Sequence, residues 1–373
     1  MTPRSRYAAL LATLVVVVGS LSAVTASASL ATTNVEHPSA VALDGNGDLW
    51  VASSGTHGVT EFAVATGKLL RVVRGKADGF NDPTAIAVDG DHVWIVSSGV
   101  MYRNGKSRVG TATELNATNG GLIRVVSLKS RGLSGTASIS TNGADVWIAT
   151  SGGGRVAKLS NTTGAVLRVF RTGKNLVAPG GIFSGYSHVW IPSPSVSGGI
   201  VERNATTGAF IRTIPDEVLA KTNGETYKMP TALGPQYVTV SARYVWVANE
   251  SGKGADGFFG SISQINPSTG AIVRVIDKRK YGFSSTRAIC SSGDAVWVVN
   301  GTVGTSTGTA GDSVTELNAE SGALVRFIPL PASLGSEPWA IATNGRDVFV
   351  ADEGAGNVVE LRATTGAVVR ILT

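Results

Sequence analysis

The chain has 373 residues, 43% of them hydrophobic and 16% charged, with a formal net charge of +6. That composition belongs to a folded chain rather than a disordered one, and the charge is too mild to predict a nucleic-acid or anionic-membrane partner. One cysteine, Cys290, excludes a disulfide framework; in the apolar run Arg287-Ala-Ile-Cys it reads as a buried, inert thiol.

At the N-terminus Arg4 and Arg6 precede an apolar run from Ala8 to Val18, and Ala26-Ser27-Ala28 has the form of a signal-peptidase site. Residues 1–28 are expected to be a signal peptide, 29–36 a lead-in and 37–373 the folded domain. The apolar run is short for a membrane span. The expectation is therefore an exported, monomeric chain without membrane insertion, carrying a net charge of +4 once Arg4 and Arg6 are gone.

Strand-like pieces then follow in fours. The first set is Ala40-Val-Ala-Leu43, Leu49-Trp-Val-Ala52, Val59-Thr-Glu-Phe62 and Leu69-Leu-Arg-Val-Val73; the second is Ala85-Ile-Ala-Val88, Val93-Trp-Ile-Val96, Ala112-Thr-Glu-Leu115 and Leu122-Ile-Arg-Val-Val126. Alternation, β-branched content and Gly/Asn/Asp turns mark them as strands, here named a to d. The c–d turn carries a glycine in every copy: Gly67, Gly120, Gly164, Gly208, Gly270, Gly322 and Gly366. Four residues later stands an arginine: Arg71, Arg124, Arg168, Arg212, Arg274, Arg326 and Arg370. Strand b carries Trp50, Trp94, Trp147, Trp190, Trp246, Trp297 and Phe349, spaced by 43 to 56 residues.

Seven units of four antiparallel strands at this period predict an all-β chain, a seven-bladed β-propeller. A lone blade cannot bury both faces of its sheet; packing blades around an axis does, with the strand-b aromatic filling the wedge. Each repeat is continuous, so closure by strand exchange is not evident, and Leu30 to Val35 is the segment available to add an outer strand. The a–b and c–d turns share one face. The long b–c and d–a connections share the other, among them Ser97–Thr111, Ser251–Ser261, Gly301–Ser313 and Pro215–Pro230. Variable loops on one rigid face are where binding is expected.

Several features that look chemical have structural readings. Opposite the arginines stand Glu61, Glu114, Lys158, Glu202, Gln264, Glu316 and Glu360, so five Glu–Arg pairs are expected across c–d hairpins. If exposed, each contributes less than about 1 kcal/mol; Arg168 opposite Lys158 is unexplained. Asp44-Gly-Asn-Gly-Asp48 resembles the start of a calcium loop but has Gly55 at its twelfth position, and reads as a hairpin turn. Asn116-Ala-Thr, Asn161-Thr-Thr and Asn204-Ala-Thr match the glycosylation sequon but coincide with the c–d turn. His37, His57, His92 and His188 show no metal-ligand spacing.

Two rings remain. Three residues after the strand-b aromatic stand Ser53, Ser97, Thr150, Ser193, Asn249, Asn300 and Asp352, with Glu250 and Glu353 directly after two of them. At the start of strand a stand Ser39, Thr84, Ala137, Gly180, Thr231, Arg287 and Trp339. One reading is strand capping. The other is a polar funnel with Arg287 and Trp339 at its mouth, bordered by Asn249, Glu250, Asn300, Asp352 and Glu353, where a ligand binds.

The segment Pro83-Thr-Ala-Ile-Ala-Val-Asp-Gly90 followed by Val93-Trp-Ile-Val96 resembles YVTN- and NHL-type propeller repeats over the whole mature chain. The pattern is also similar to streptogramin lyases, a resemblance that implies a channel histidine and acid working with magnesium. Glu250 and Glu353 match that family's glutamate after strand b, while the last blades hold no histidine. Ala65-Thr-Gly-Lys-Leu-Leu70 is similar to repeats of pyrroloquinoline-quinone enzymes, whose cofactor is not carried over. The expectation is a secreted binding scaffold for a protein or small molecule. It needs no cofactor, although a divalent metal could be accommodated. The alternative is a metal-assisted lyase or hydrolase with carboxylates at the channel mouth.

Overall fold

Each hairpin is written in its turn residues. In the first, the Asp44 carboxylate accepts hydrogen bonds from the backbone N–H of Asn46 and Asp48, both at 2.9 Å, and Gly47 takes φ +83°. The pair it closes is β1 (Pro38–Leu43) and β2 (Asp48–Ser53), followed by β3 (Gly58–Ala63) and β4 (Lys68–Arg74). At the c–d turn the seven repeat glycines have φ between +65° and +74°, a region open to glycine and strained for other residues. Asn116 and Asn204 brace that turn by accepting from the N–H groups two and three residues on. Asn161 is buried and accepts from the Trp94 indole of the preceding blade at 2.7 Å. The sequon residues are thus turn and packing elements.

The computed structural model describes residues 34–75, 77–98, 110–128, 133–152, 154–171, 179–194, 199–215, 234–254, 257–277, 279–283, 285–301, 312–331 and 337–373, with backbone alone for 134, 136, 137, 152, 250–254 and 257–259. The signal peptide and the Pro215–Pro230 connection beyond Pro215 lie outside them. The described strands form seven four-stranded antiparallel sheets, each in the order a-b-c-d. Strand a of each blade contacts strand a of the next, and that of blade 7 contacts that of blade 1. This is a seven-bladed β-propeller with strand a innermost and strand d outermost.

The core lies between blades. Trp50 of blade 1 packs with Phe80, Ile86, Val93 and Leu115 of blade 2, and all six strand-b tryptophans are at most 1% exposed. Every described sheet draws its four strands from one repeat. Closure between blades 7 and 1 comes instead from Phe349 packing with Leu49, Phe62 and Val35. Val35 belongs to the lead-in; of the outer strand expected over Leu30 to Val35, Leu30 to Thr33 lie outside the described residues, and Asn34 and Val35 are not in a strand. The Asn34 carbonyl accepts from Thr60 Oγ1 at 2.7 Å, and Val35 is buried in the seam. Phe80, Leu133 and Phe283 are buried just before strand a of blades 2, 3 and 6 in the same way.

The five Glu–Arg pairs are cross-strand partners, with Arg Nε to Glu Oε2 distances of 2.5 to 2.9 Å. They are not exposed, however. The glutamates are 0 to 10% exposed and the arginines 24 to 28%, because each hairpin is covered by the next blade. Arg71, Arg168, Arg212 and Arg326 donate to carbonyls of the next blade's c–d turn: Thr118, Thr207, Ser268 and Ala363. The turn glycines make room for this belt: a Cβ at Gly120 would stand 2.6 Å from Arg71 Cδ, and one at Gly67 2.7 Å from Arg370 Cδ. Where glutamate is replaced, the new side chain performs the same bridging. Lys158 pairs with Asp145 at 2.8 Å and donates to the Ala205 and Thr206 carbonyls, so it needs nothing from Arg168. Gln264 donates to the Ala319 and Glu320 carbonyls.

Two further expectations change. The stretch Ser251–Ser261 is mostly paired backbone, strand b of blade 5 running from Val245 to Gly254 and strand c from Gly257 to Ile265. Strand a of blade 5 is Pro235–Val240, so the ring position assigned to Thr231 belongs to Gln236. Cys290 packs against the core between blades 6 and 7, and burial pushes its thiol pKa up, which suits an inert group.

Candidate functional site

The mouth of the channel on the b–c loop face is built by a repeated irregularity. In blades 1, 2, 3, 5, 6 and 7 the a–b pairing skips one residue of strand a: Ser39, Thr84, Ala137, Gln236, Arg287 and Trp339. Such a bulge leaves the extra residue out of the ladder and re-aims its side chain. The inner ring is therefore a ring of bulge residues, with small ones in blades 1 to 3 and large ones in three successive blades, 5 to 7.

The small members are used locally: Ser39 donates to the Pro83 carbonyl at 2.6 Å and Thr84 to the Val96 carbonyl at 3.3 Å. Gln236 packs on Gly180 of blade 4, where a Cβ would come within 2.5 Å of its Oε1. Arg287 turns the other way and lays its guanidinium over the Trp339 ring, 4.7 Å from the centroid. It also lies against Gly301, whose missing Cβ would stand 2.6 Å from Arg287 Nε. That Nε is buried without an acceptor, and among the described residues no carboxylate pairs with Arg287. Trp339 is half-buried, in contrast to the six buried strand-b tryptophans, so it does not serve as a sealed plug.

The other candidates are placed differently. Asn249 and Asn300 are buried; Asn249 donates to Ser261 and Ser263, and Asn300 to Ser313 and Thr315, within their own blades. Asp352, also buried, accepts from the N–H of Ala355 at 2.8 Å and caps the b–c turn. Glu353 is half-buried at the rim and its N–H donates to the Glu337 carbonyl. Glu250 is in strand b of blade 5, with its side chain outside the described residues. The geometry thus brings Arg287 and Trp339 together and ties the two asparagines and Asp352 into strand capping. Gln236 was missed by sequence reasoning; the signal for it is the distance back from Trp246 through the a–b hairpin.

The opposite face carries the titratable clusters. His92 Nδ1 lies 2.5 Å from Glu114 Oε1, and His188 Nδ1 lies 2.6 Å from Glu202 Oε1. His37 and His57 are exposed loop residues with positive φ. They belong instead to the d–a and b–c connections of blade 1, on the face of the mouth, but neither pairs with a carboxylate among the described residues, so no histidine–acid pair for a magnesium site is assembled there. The ligand atoms of Asp44, Asp48 and Glu61 lie within 4.8 Å of one another, but at the a–b turn face of blade 1. Asp44 accepts there from the Trp50 indole at 3.1 Å, and Glu61 pairs with Arg71. Burial pushes the Glu61 carboxyl up to about 7; Arg71 opposes this, and Asp48 and Asp44 add to it.

No helix among the described residues is long and apolar enough to cross a membrane. No family model matches the chain, so the resemblance to YVTN and NHL repeats rests on the residues quoted for it, and no curated protein matches either. Solved structures do. A chain of the Kuenenia stuttgartiensis hydrazine synthase structure is 14% identical at a TM-score of 0.65, over 91% of this chain and 99% of its own. A streptogramin B lyase structure is 15% identical at 0.63, over 87% of this chain and 93% of its own. Virginiamycin B lyase from Staphylococcus aureus is 16% identical at 0.58, over 87% and 94%. At these identities the likeness is one of fold, and the chain is a seven-bladed propeller of the architecture that streptogramin B lyases share.

Proposed function

We propose that this chain is an extracytoplasmic binding propeller that takes a ligand on its b–c loop face, at the clamp formed by Arg287 and Trp339. The observation that carries this reading is the bulge ring itself: one register device, repeated around the axis, delivers an unpaired guanidinium and a half-exposed indole to one point of the mouth. Neither group is used by the fold in the way its counterparts are. A lyase or hydrolase is less well supported, because the converging carboxylates among the described residues are on the other face and one of them is held by Arg71.

The test is ligand-observed NMR of the mature chain against a panel of small aromatic acids, amides, amines and sugars. Binders are expected whose saturation-transfer signal disappears in the Arg287→Ala/Trp339→Ala double variant, with the near-ultraviolet dichroism of the six buried tryptophans unchanged. Signals of equal strength in both proteins would remove the clamp as the site.

A further inference from the structure

Resting on that reading of the site, we infer that the group Arg287 recognises is a carboxylate carried on a flat, apolar body. Blade 6 differs from its neighbours at the position that Arg287 packs against. The residue four after the strand-b aromatic is Glu250 in blade 5, Gly301 in blade 6 and Glu353 in blade 7. Arg287 packs directly against that position, since a Cβ on Gly301 would meet its Nε at 2.6 Å and its Cζ at 3.3 Å. An acid at 301 would be the natural partner for Arg287. The chain instead has the one residue that leaves both no partner and room for the side chain. Elsewhere in the protein the described arginines that approach the interior each hold at least one acceptor, although Arg71 Nη1 and Arg203 Nε are themselves buried without one. Arg71, Arg124, Arg212, Arg326 and Arg370 hold glutamates, Arg362 holds Asp347, and Arg203 donates to two carbonyls.

The indole and the charge around the fork together decide which anion fits. Trp339 covers one face of the guanidinium, so an acceptor must approach along its edge, in its plane. Two oxygens in that plane match a carboxylate or a phosphate, for both of which the guanidinium fork is a bidentate partner, so the charge around the fork separates them. A phosphate carries more charge and three acceptor oxygens, and recruits several cations or a cluster of N–H groups. Among the described mouth residues Arg287 is the sole cation, and Glu353 adds a negative charge to the rim. The indole beside the fork supplies the surface for a flat apolar body.

The experiment is isothermal titration of the mature chain with 4-methylbenzoate, 4-methylbenzamide and inorganic phosphate. The benzoate should bind, the neutral amide at least tenfold more weakly, and phosphate should not compete. Arg287→Gln should cost the benzoate at least tenfold. Gly301→Ala leaves the arginine in the sequence but pushes it off its seat, and should weaken the benzoate similarly with little effect on thermal stability. Equal binding of benzoate and amide, both lost in Trp339→Ala, would overturn the carboxylate assignment and leave the site standing. Benzoate affinity unchanged in Arg287→Gln and Trp339→Ala would overturn both. Phosphate binding that displaces the benzoate, or no benzoate binding at millimolar concentration, would overturn the carboxylate assignment alone.

Discussion

The glutamate opposite each belt arginine is where two effects compete, and their magnitudes decide what the pair does. An exposed Glu–Arg pair contributes little. Here the carboxylates are 0 to 10% exposed, and Glu61 still has its pKa raised to about 7 against an ordinary 4.5, so desolvation outweighs the guanidinium 2.8 Å away. Burial raises the Glu202, Glu316 and Glu360 carboxyls as well. Removing the arginine would strand a buried acceptor. Arg124→Ala is therefore expected to lose about 1–3 kcal/mol in urea unfolding, more than a surface pair would; a loss within a few tenths would show that water replaces the guanidinium. The pH dependence follows from the direction of the shift. Between pH 4.5 and about 7 folded Glu61 retains a proton that the unfolded chain has released, so its contribution to stability declines as pH rises through that window. Asp48→Asn removes one of the charges that raise Glu61. The thermal midpoint of that variant should fall less between pH 5 and pH 8 than that of the parent. The pairing of these residues was legible in the sequence, because cross-strand register follows from the turn glycine. Their burial was not, because the cover comes from the next repeat.

At the level of elements, the hairpins were readable because turn chemistry and alternation agree. Blade 5 departs from its local motif. Pro230-Thr-Ala-Leu233 imitates Pro83-Thr-Ala-Ile86 of blade 2, yet the strand that pairs is Pro235–Val240. Register is set by the Ser241–Tyr244 turn counted back from Trp246, and a local motif cannot override that geometry. The bulges were legible only as a ring of odd residues, since a bulge is a property of the pairing and not of either strand. The turn glycines offer a paired test. Gly90 has φ +57° with open space around its missing Cβ, so Gly90→Ala should cost only backbone strain, about 1–2 kcal/mol. Gly120 has φ +69° and the Arg71 side chain 2.6 Å from that Cβ, so Gly120→Ala should cost more, by the loss of the Arg71 bridge to Thr118. Equal costs in chemical denaturation would mean that the belt arginine moves aside without penalty.

For the whole molecule, blade number followed directly from the seven-fold count, whereas the closure did not. The seam between blades 7 and 1 is made of parts that recur at other seams: an arginine over a turn glycine, an aromatic in the wedge, and a lead-in side chain buried before strand a. Val35→Asp should lower the melting temperature by several degrees, because a charge in that seam has no partner to meet it. An unchanged midpoint would show that the lead-in is dispensable.

Because no described sheet borrows a strand from another repeat, the position of the chain ends is a matter of gene order and not of architecture. A circular permutant that begins at Ala77, ahead of the Phe80 lead-in, and joins Thr373 to Asn34 by a flexible linker keeps every sheet and every belt contact intact. It should refold to the same tryptophan spectrum. A propeller closed by exchanging a strand would be cut through a blade by the same operation, so the permutant's stability reports directly on how this ring is fastened.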